Sequence, residues 1–493
     1  MVGGMQRLRA LRQIGATDNM ILALACVAQF MVVLDVSIVN VALPQIGREL
    51  HFSSTGLQWV VNAYVLTFAG FLLLGGRAAD LFGRKRVFLA GLAVFSLASL
   101  AGGLAQTAAQ LTIARAVQGL GGAILSPATL TIITTTFTDG RSRTRAIGIW
   151  SSVAGAGGAT GAVFGGILTG YLNWRWVLFV NVPIGAAAIA LSAVILTEAR
   201  RPSSGKLDIA GAVTATGGLA LLVYAIVSTD THPWGSTRTI GLLAGAAALL
   251  AVFVFIEARV ASDPLMPLSV FKSRSLTAAN LTMLLLGACF FSMWYFLTLY
   301  LQDVHGYGPL KAGLLFLPMG LAIVAGAQAS IRLIERFGSQ RVLMGGLLLV
   351  VGGFLWLAHI TASSTYLAGV FPGALCTSFG VGLSFTPLAQ TATSGVPMQL
   401  AGLASGLLNT SRQVGGSIGL AALATVAIAR THAVAHSLSV KQAFTSGYDR
   451  AFLTAAVVSL VALAVTFAIP RPTSLRPAGE AVTELQPTPA TAD

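Results

Sequence analysis

Phe82-Gly-Arg-Lys-Arg-Val87 opens one apolar run, and 255 residues later Phe337-Gly-Ser-Gln-Arg-Val342 opens another. Two further echoes keep nearly the same offset. Ser126-Pro-Ala-Thr129 returns loosely as Thr386-Pro-Leu-Ala389, and Gly157-Gly-Ala-Thr-Gly161 returns as Gly415-Gly-Ser-Ile-Gly419. Three echoes in one order point to a duplicated unit. Parallel six-span repeats around a midplane site are a transporter architecture.

The surrounding composition says what is repeated. Hydrophobic residues make up 55% of the 493 and charged residues 9%, whereas soluble domains carry about 25% charge. Fourteen apolar runs approach the roughly 20 residues that span a bilayer. The expected fold is an all-α membrane protein of two six-helix bundles plus two inserted helices, 14 spans in all. The expected division is an N-tail at 1–19, a first bundle at 20–196, the inserted spans with a central linker at 197–275, a second bundle at 276–470 and an unfolded Pro/Ala/Thr-rich tail at 471–493.

The net charge of +14 invites a nucleic-acid reading, but its placement argues otherwise. Of the 30 Lys and Arg, 21 fall in segments assigned to one side and 7 to the other. That bias puts both termini in the cytoplasm, and no nucleic-acid partner is expected. Cys26, Cys289 and Cys376 lie far apart and read as small core residues. With the six His scattered as well, no metal site is expected.

Asp35 reads as a carboxylate deep inside an apolar run, the other Asp and Glu lying in connections, run ends or tails. A charge near the bilayer centre costs at least about 2.5–3.5 kcal/mol, so one that persists marks an ion or substrate path. An acid that can take up and release a proton suggests a machine driven by a proton gradient, with no cofactor. At 1.5 Å per residue Asp35 sits about 22 Å along its outward-running span. That leaves about 8 Å to the outer face of a core about 30 Å thick, and Arg115 sits about 9 Å below that outer face. The two are therefore expected to couple, directly or through water or Gln118. A static ion pair joining two helices is the competing reading.

Asp80 ends the second span, where the helix dipole disfavours a carboxylate. It should seek a cation such as Arg84 or another helix's N-terminus. Gly76, Asp80, Gly83, Arg84 and Lys85 together read as a latch on the cytoplasmic side. In the fifth span Gly157, Gly161, Gly165 and Gly166 let helices approach closely and slide. Candidate cavity residues are Asn40, Asn62, Gln118, Asn280, Trp294, Tyr295, Gln390, Asn409 and Arg412, with Gln58 a further hydrogen bonder. Arg412 has no counterpart in the first half, where Ala154 stands. It could meet an anionic or carbonyl-bearing substrate, or merely a backbone carbonyl or Gln413.

These motifs resemble those of the major facilitator superfamily. Gly76, Asp80, Gly83, Arg84 and Lys85 match its cytoplasmic-loop motif, with Ala78 for the usual Leu and Leu81 for the usual Arg. Leu34-Asp-Val-Ser-Ile-Val-Asn-Val-Ala-Leu-Pro44 resembles the first span of the fourteen-span drug:proton antiporter branch. Leu111-x-x-x-Arg115-x-x-Gln118-Gly-x-Gly121 matches a second motif of the superfamily. Trp174-Arg-Trp176, Phe179 and Asn181-Val-Pro-Ile-Gly185, like Asn409-Thr-Ser-Arg-Gln-Val-Gly-Gly416, resemble stretches characteristic of the same branch. One departure stands out: the branch carries Gly-Pro in the fifth span, and this chain has Gly161-Ala162.

The resemblance implies a bacterial inner-membrane transporter that exports amphipathic or aromatic compounds in exchange for protons by alternating access. It also implies a lipid bilayer as setting and no obligate protein partner. A dedicated exporter of one endogenous metabolite or antibiotic is the alternative, and an uptake symporter a more distant one. An enzyme is not expected, because no metal-protease, P-loop or other reacting constellation occurs. No repeated ring of charges suggests a channel.

Overall fold

The computed structural model describes residues 2–138, 140–198, 206–229, 231–394 and 401–469. The expected unfolded tail therefore lies outside the described residues. Sixteen α-helices occur among the described residues. The first half holds α1 (Val2–Glu49), α2 (Ser54–Leu57), α3 (Trp59–Phe82), α4 (Arg84–Gly103), α5 (Ala108–Thr136), α6 (Gly140–Tyr171), α7 (Trp176–Phe179) and α8 (Asn181–Ile195). The inserted pair is α9 (Ile209–Ser228) and α10 (Thr237–Phe255). The second half holds α11 (Arg274–Leu299), α12 (Pro309–Phe337), α13 (Ser339–Leu357), α14 (Phe371–Thr393), α15 (Ala401–Val434) and α16 (Val440–Val465). No strand occurs among the described residues.

Thirteen described segments are long and apolar enough to cross a membrane. The 32-residue α6 is a fourteenth long helix, rich in Gly, Ser and Thr. It lies between α1 and α12, so protein rather than lipid surrounds much of it. Local chemistry sets the helix starts. Thr107 accepts the Gln110 amide at α5, Ser236 that of Thr239 at α10, and Ser273 that of Leu276 at α11. Such caps satisfy amides that the first turn leaves free.

The quoted hexapeptides form the same device twice. Gly83 sits between α3 and α4 at φ 97°, and Gly338 between α12 and α13 at φ 80°. With ψ of 139° and 156°, both occupy a region that a side chain essentially forbids. Each lets a long helix end and the next begin without an intervening loop.

Within the first half α3 and α4 pack on α5, α1 on α6, and α4 on α8. Within the second, α11 packs on α15, α12 and α13 on α14, and α13 and α15 on α16. The halves meet along α6/α12 and α3/α15. Of the inserted pair, α9 packs on both α3 and α15, with Thr216 filling the space over Gly70. Only 17% of the most apolar stretch of α10 is buried, against 72% for that of α11. The former is a lipid-facing helix and the latter a central one.

Glycine sets the seams. A Cβ on Gly161 would strike Ser37 Oγ, and one on Gly165 the Ile38 carbonyl, both on α1. Gly157, one turn earlier, stands 3.3–3.4 Å from Val33 and Phe30 by the same measure. Gly166 turns instead to the backbone of Pro309 and Leu310, and Gly313 of α12 meets the Ala162 carbonyl. The position that carries Ala162 is thus a backbone contact between the two halves.

Two expectations are corrected. Asp449 does not lie in a connection: α16 starts at Val440, capped by Ser439 and Gln442, so this acid is nine residues into a helix. The polar start of α16 hid that from an apolar-run count. Cys376 is exposed, while Cys26 and Cys289 are buried.

Gly165→Leu should cost about 1–3 kcal/mol through overpacking at the Ile38 carbonyl. Gly158→Leu enters space with nothing within 4 Å of a Cβ and should leave the thermal midpoint nearly unchanged. Thermal unfolding of both variants in detergent checks this contrast.

Candidate functional site

The apolar run around Asp35 places its carboxylate on the face of α1 that α5 covers. Arg115, two turns into α5, meets it: Arg115 Nη1 donates to Asp35 Oδ2 at 2.5 Å. Gln118 follows one turn later on the same face. Its Oε1 accepts from Arg115 Nη1 at 2.7 Å, and its Nε2 donates to Asp35 Oδ1 at 2.7 Å. Asp35 and Arg115 are 0% and 1% exposed, which makes this a desolvated pair.

Three more helices complete the shell. Asn181, the first residue of α8, donates to Asp35 Oδ1 and to Ser99 Oγ, each at 3.1 Å. Ser99 of α4 accepts from Gln118 at 3.1 Å and donates to the Leu178 carbonyl at 2.8 Å. Arg115 Nε donates to the Val60 carbonyl of α3 at 3.0 Å, and its guanidinium carbon lies 4.4 Å from the centre of the Tyr64 ring. Desolvating each ion costs several kcal/mol, which only close contact and satisfied hydrogen bonds offset. Here five helices supply those bonds.

Sequence reasoning brought Asp35, Arg115 and Gln118 together but missed Ser99 and the bonding role of Asn181. A buried Asn at the start of an apolar run was the available signal. Ser99 gave none.

The loop of the proposed latch is built differently from expectation. The Asp80 side chain lies outside the described residues. The acid seen at the start of α4 is Glu198, which follows α8. Its carboxylate fills the space over Gly83, accepts the Arg86 amide at 3.3 Å and lies 4.0 Å from Arg86 Nε. Lys85 Nζ donates to the Ala193 carbonyl at 2.7 Å. Arg77 pairs with Asp263 of the central linker at 3.2 Å. Gly76 faces Pro127 at an ordinary 3.6 Å, whereas its neighbour Gly75 lies against the Ala123 backbone, so Gly75 is the position that needs glycine.

The candidate cavity residues separate into groups. Asn40 donates to the Val36 carbonyl of its own helix at 2.8 Å. Asn280 donates to Leu276 at 2.9 Å and accepts from Ser411 at 2.8 Å. Arg412 finds neither a backbone carbonyl nor Gln413 but the side chain of Asn409, at 2.9 Å from Nη2. Gln390 is exposed at the end of α14, and Tyr295 is buried against Phe296. Trp294 stacks on Phe316 of α12 at 4.8 Å. Polar atoms without partners remain on Asn62, on Gln58 and at Trp294 Nε1. Buried polar groups are normally satisfied, so water or a bound molecule has unclaimed partners here.

A helical membrane protein of two pseudo-repeated bundles, with a charge network buried in one of them, is the architecture of a secondary transporter. The chain belongs to the Major Facilitator Superfamily, whose family model matches residues 25–420. It is 45% identical over 458 residues to the cephamycin export protein CmcT of Amycolatopsis lactamdurans, covering 92% of this chain and 93% of that one. It is 39% identical to the puromycin resistance protein pur8 of Streptomyces alboniger, covering 82% and 81%. Among solved structures, a bacterial homologue of the human lysosomal transporter Spinster, inward-facing and unoccupied, superposes with a TM-score of 0.63. That match has 17% identity and covers 92% of this chain and 99% of that one, so it speaks for the fold alone.

Arg115→Met strands a buried carboxylate and should cost about 3–5 kcal/mol. Adding Asp35→Asn to that variant removes the bare charge and should recover part of the loss. Melting curves of the two variants and their combination decide the point.

Proposed function

We propose that this protein is a proton-coupled exporter of amphipathic or aromatic antibiotics, working by alternating access in a bacterial cytoplasmic membrane with both termini inside. The observation that carries the reading is the desolvated Asp35–Arg115 pair and its neutral shell. Gln118 and Asn181 carry amides, and Ser99 a hydroxyl, each able to donate or accept. The same shell can therefore serve a carboxylate or a protonated acid. Arg115 keeps the Val60 carbonyl, the Gln118 amide and the Tyr64 ring when Asp35 takes a proton, so protonation need not leave a bare guanidinium.

The coupling runs along α1. Two residues after Asp35, Ser37 donates to the Gly157 carbonyl at 3.2 Å, and six residues after it the Val41 carbonyl accepts at 2.8 Å from Gln302, in the π-helical turn Tyr300–Val304 that follows α11. Proton uptake by Asp35 weakens the hold of α5 on α1. That frees α1 to shift against α6 and the second bundle. Substrate entering between the bundles and a proton on Asp35 then favour opposite conformations, which is the condition for exchange. The buried, unpartnered amides of Gln58 and Asn62 in the first half and the unpartnered indole N–H of Trp294 in the second are candidate hydrogen bonders for such a substrate. The enzyme alternative has no support from the family.

The names of the relatives, cephamycin export and puromycin resistance, support antibiotics as the substrate class. The extent of the likeness to the cephamycin exporter favours, as a second reading, a carrier dedicated to one antibiotic.

In proteoliposomes with an imposed proton gradient, the wild type should move an ethidium-type dye against proton flow, and Asp35→Asn should not. Dye movement that follows the proton would mark a symporter. Movement of a cephamycin-type antibiotic but no dye would mark the dedicated exporter. Equal transport by Asp35→Asn would overturn the role given to that residue.

A further inference from the structure

The inserted hairpin begins and ends with an acid. Asp208 caps α9, its Oδ1 accepting the Gly211 amide at 2.7 Å. Glu257 lies in the last, π-helical turn of the α10 segment (Ile256–Val260) and is 5% exposed. Its Oε2 accepts the Met266 amide at 3.0 Å. Each carboxyl thus has one oxygen accounted for. The other two, Asp208 Oδ2 and Glu257 Oε1, are buried and without a hydrogen-bond partner, the Leu265 amide being the other donor near the Glu257 carboxylate. The two side chains lie within hydrogen-bonding reach of each other.

Two buried carboxylates beside each other, away from water, repel unless something positive lies between them. Among the described residues, the other charged groups at these ends are Arg77 of α3, Asp263 of the linker, and Lys206 and Arg259 of the hairpin itself. Arg77 pairs with Asp263 through Nη2 at 3.2 Å, and its buried Nε reaches no acceptor, neither acid included, while Lys206 and Arg259 are exposed. A single proton satisfies both orphaned oxygens at once. The helix dipoles decide which acid carries it. Asp208 stands at a helix N-terminus, where negative charge is favoured; Glu257 stands at a C-terminus, where it is disfavoured.

We propose that Glu257 holds a proton and donates it to Asp208, forming a proton-binding site at the foot of the inserted hairpin, separate from Asp35. The site clamps the start of α9 to the end of α10. It also fixes the following linker. Met266 is tied to Glu257, and Asp263, three residues earlier, binds Arg77 together with the Lys206 amide at 3.0 Å. Arg77 lies three residues before Asp80, so loss of the proton loosens the segment that grips the motif-bearing end of α3.

The test uses the full-length protein in detergent, unfolded thermally across a pH series, as wild type, Glu257→Gln, Asp208→Asn and the double variant. The substitutions are mild: Asn caps a helix about as well as Asp, and a Gln amide can donate where the acid did. A proton kept in the fold but shed by a free Glu side chain, whose ordinary pKa is about 4.3, makes stability fall as pH rises. Relative to Glu257→Gln, the wild-type midpoint should therefore drop with rising pH. The second neutralisation should add little to the first, because the repulsion is already gone.

In infrared difference spectra between low and high pH, a protonated-carboxyl C=O band should vanish in Glu257→Gln and persist in Asp35→Asn. Should Glu257→Gln fail to fold, Asp208→Asn must show the flattened pH profile. The proposal is overturned if the neutralised variants track the wild type over the whole series, or if the band survives Glu257→Gln.

Discussion

The ion pair between Asp35 and Arg115 is the constraint around which the first bundle is arranged. An unpaired charge at this depth would cost more than most single contacts can return. The chain therefore brings Ser99, Asn181, Gln118, the Val60 carbonyl and the Tyr64 ring to it from four neighbouring helices. Those contacts fix how α1, α3, α4, α5 and α8 stand relative to one another. They also make the pair sensitive: a change of one proton alters the electrostatics of five helices together.

The surroundings of the pair permit such a change to become movement. Polar locks occupy the bundle interior, while the seams of α1 with α6 and of α6 with α12 are lined on α6 by glycine. Gly165 meets the Ile38 carbonyl and Gly166 the Pro309 backbone, with Ser37 of α1 bonded to the Gly157 carbonyl. Small residues on one side of a seam let the helices approach closely, as in other membrane helix packings. The inserted α9 spans both α3 and α15, with Thr425 of α15 donating to the Ile226 carbonyl at 3.3 Å. It is therefore placed to feel relative motion of the halves.

Much of this is legible in the sequence. The offset of 255 between two hexapeptides became two glycine-hinged junctions, because only glycine tolerates that backbone. Counting depth along two spans brought Asp35 and Arg115 to one level, because helical rise is constant. The Gly157/Gly161/Gly165 spacing placed three residues on one face by the same regularity. What escaped was set by tertiary contact. Ser99 is an ordinary serine in an apolar helix. Glu198 approaches Gly83 across more than a hundred residues. Asp208 and Glu257 meet because a hairpin folds back on itself. Asp449 was misplaced since helices do not end where apolarity does.

The account stands or falls on whether Asp35 exchanges a proton for substrate. The most direct measurement is the proton released when a transported drug binds the purified protein in weakly buffered detergent solution, comparing wild type with Asp35→Asn. The account predicts release from the wild type and none from the variant, with the drug still bound by both. Equal release from the two would contradict it, and would leave Asp35 as a structural partner of Arg115 alone.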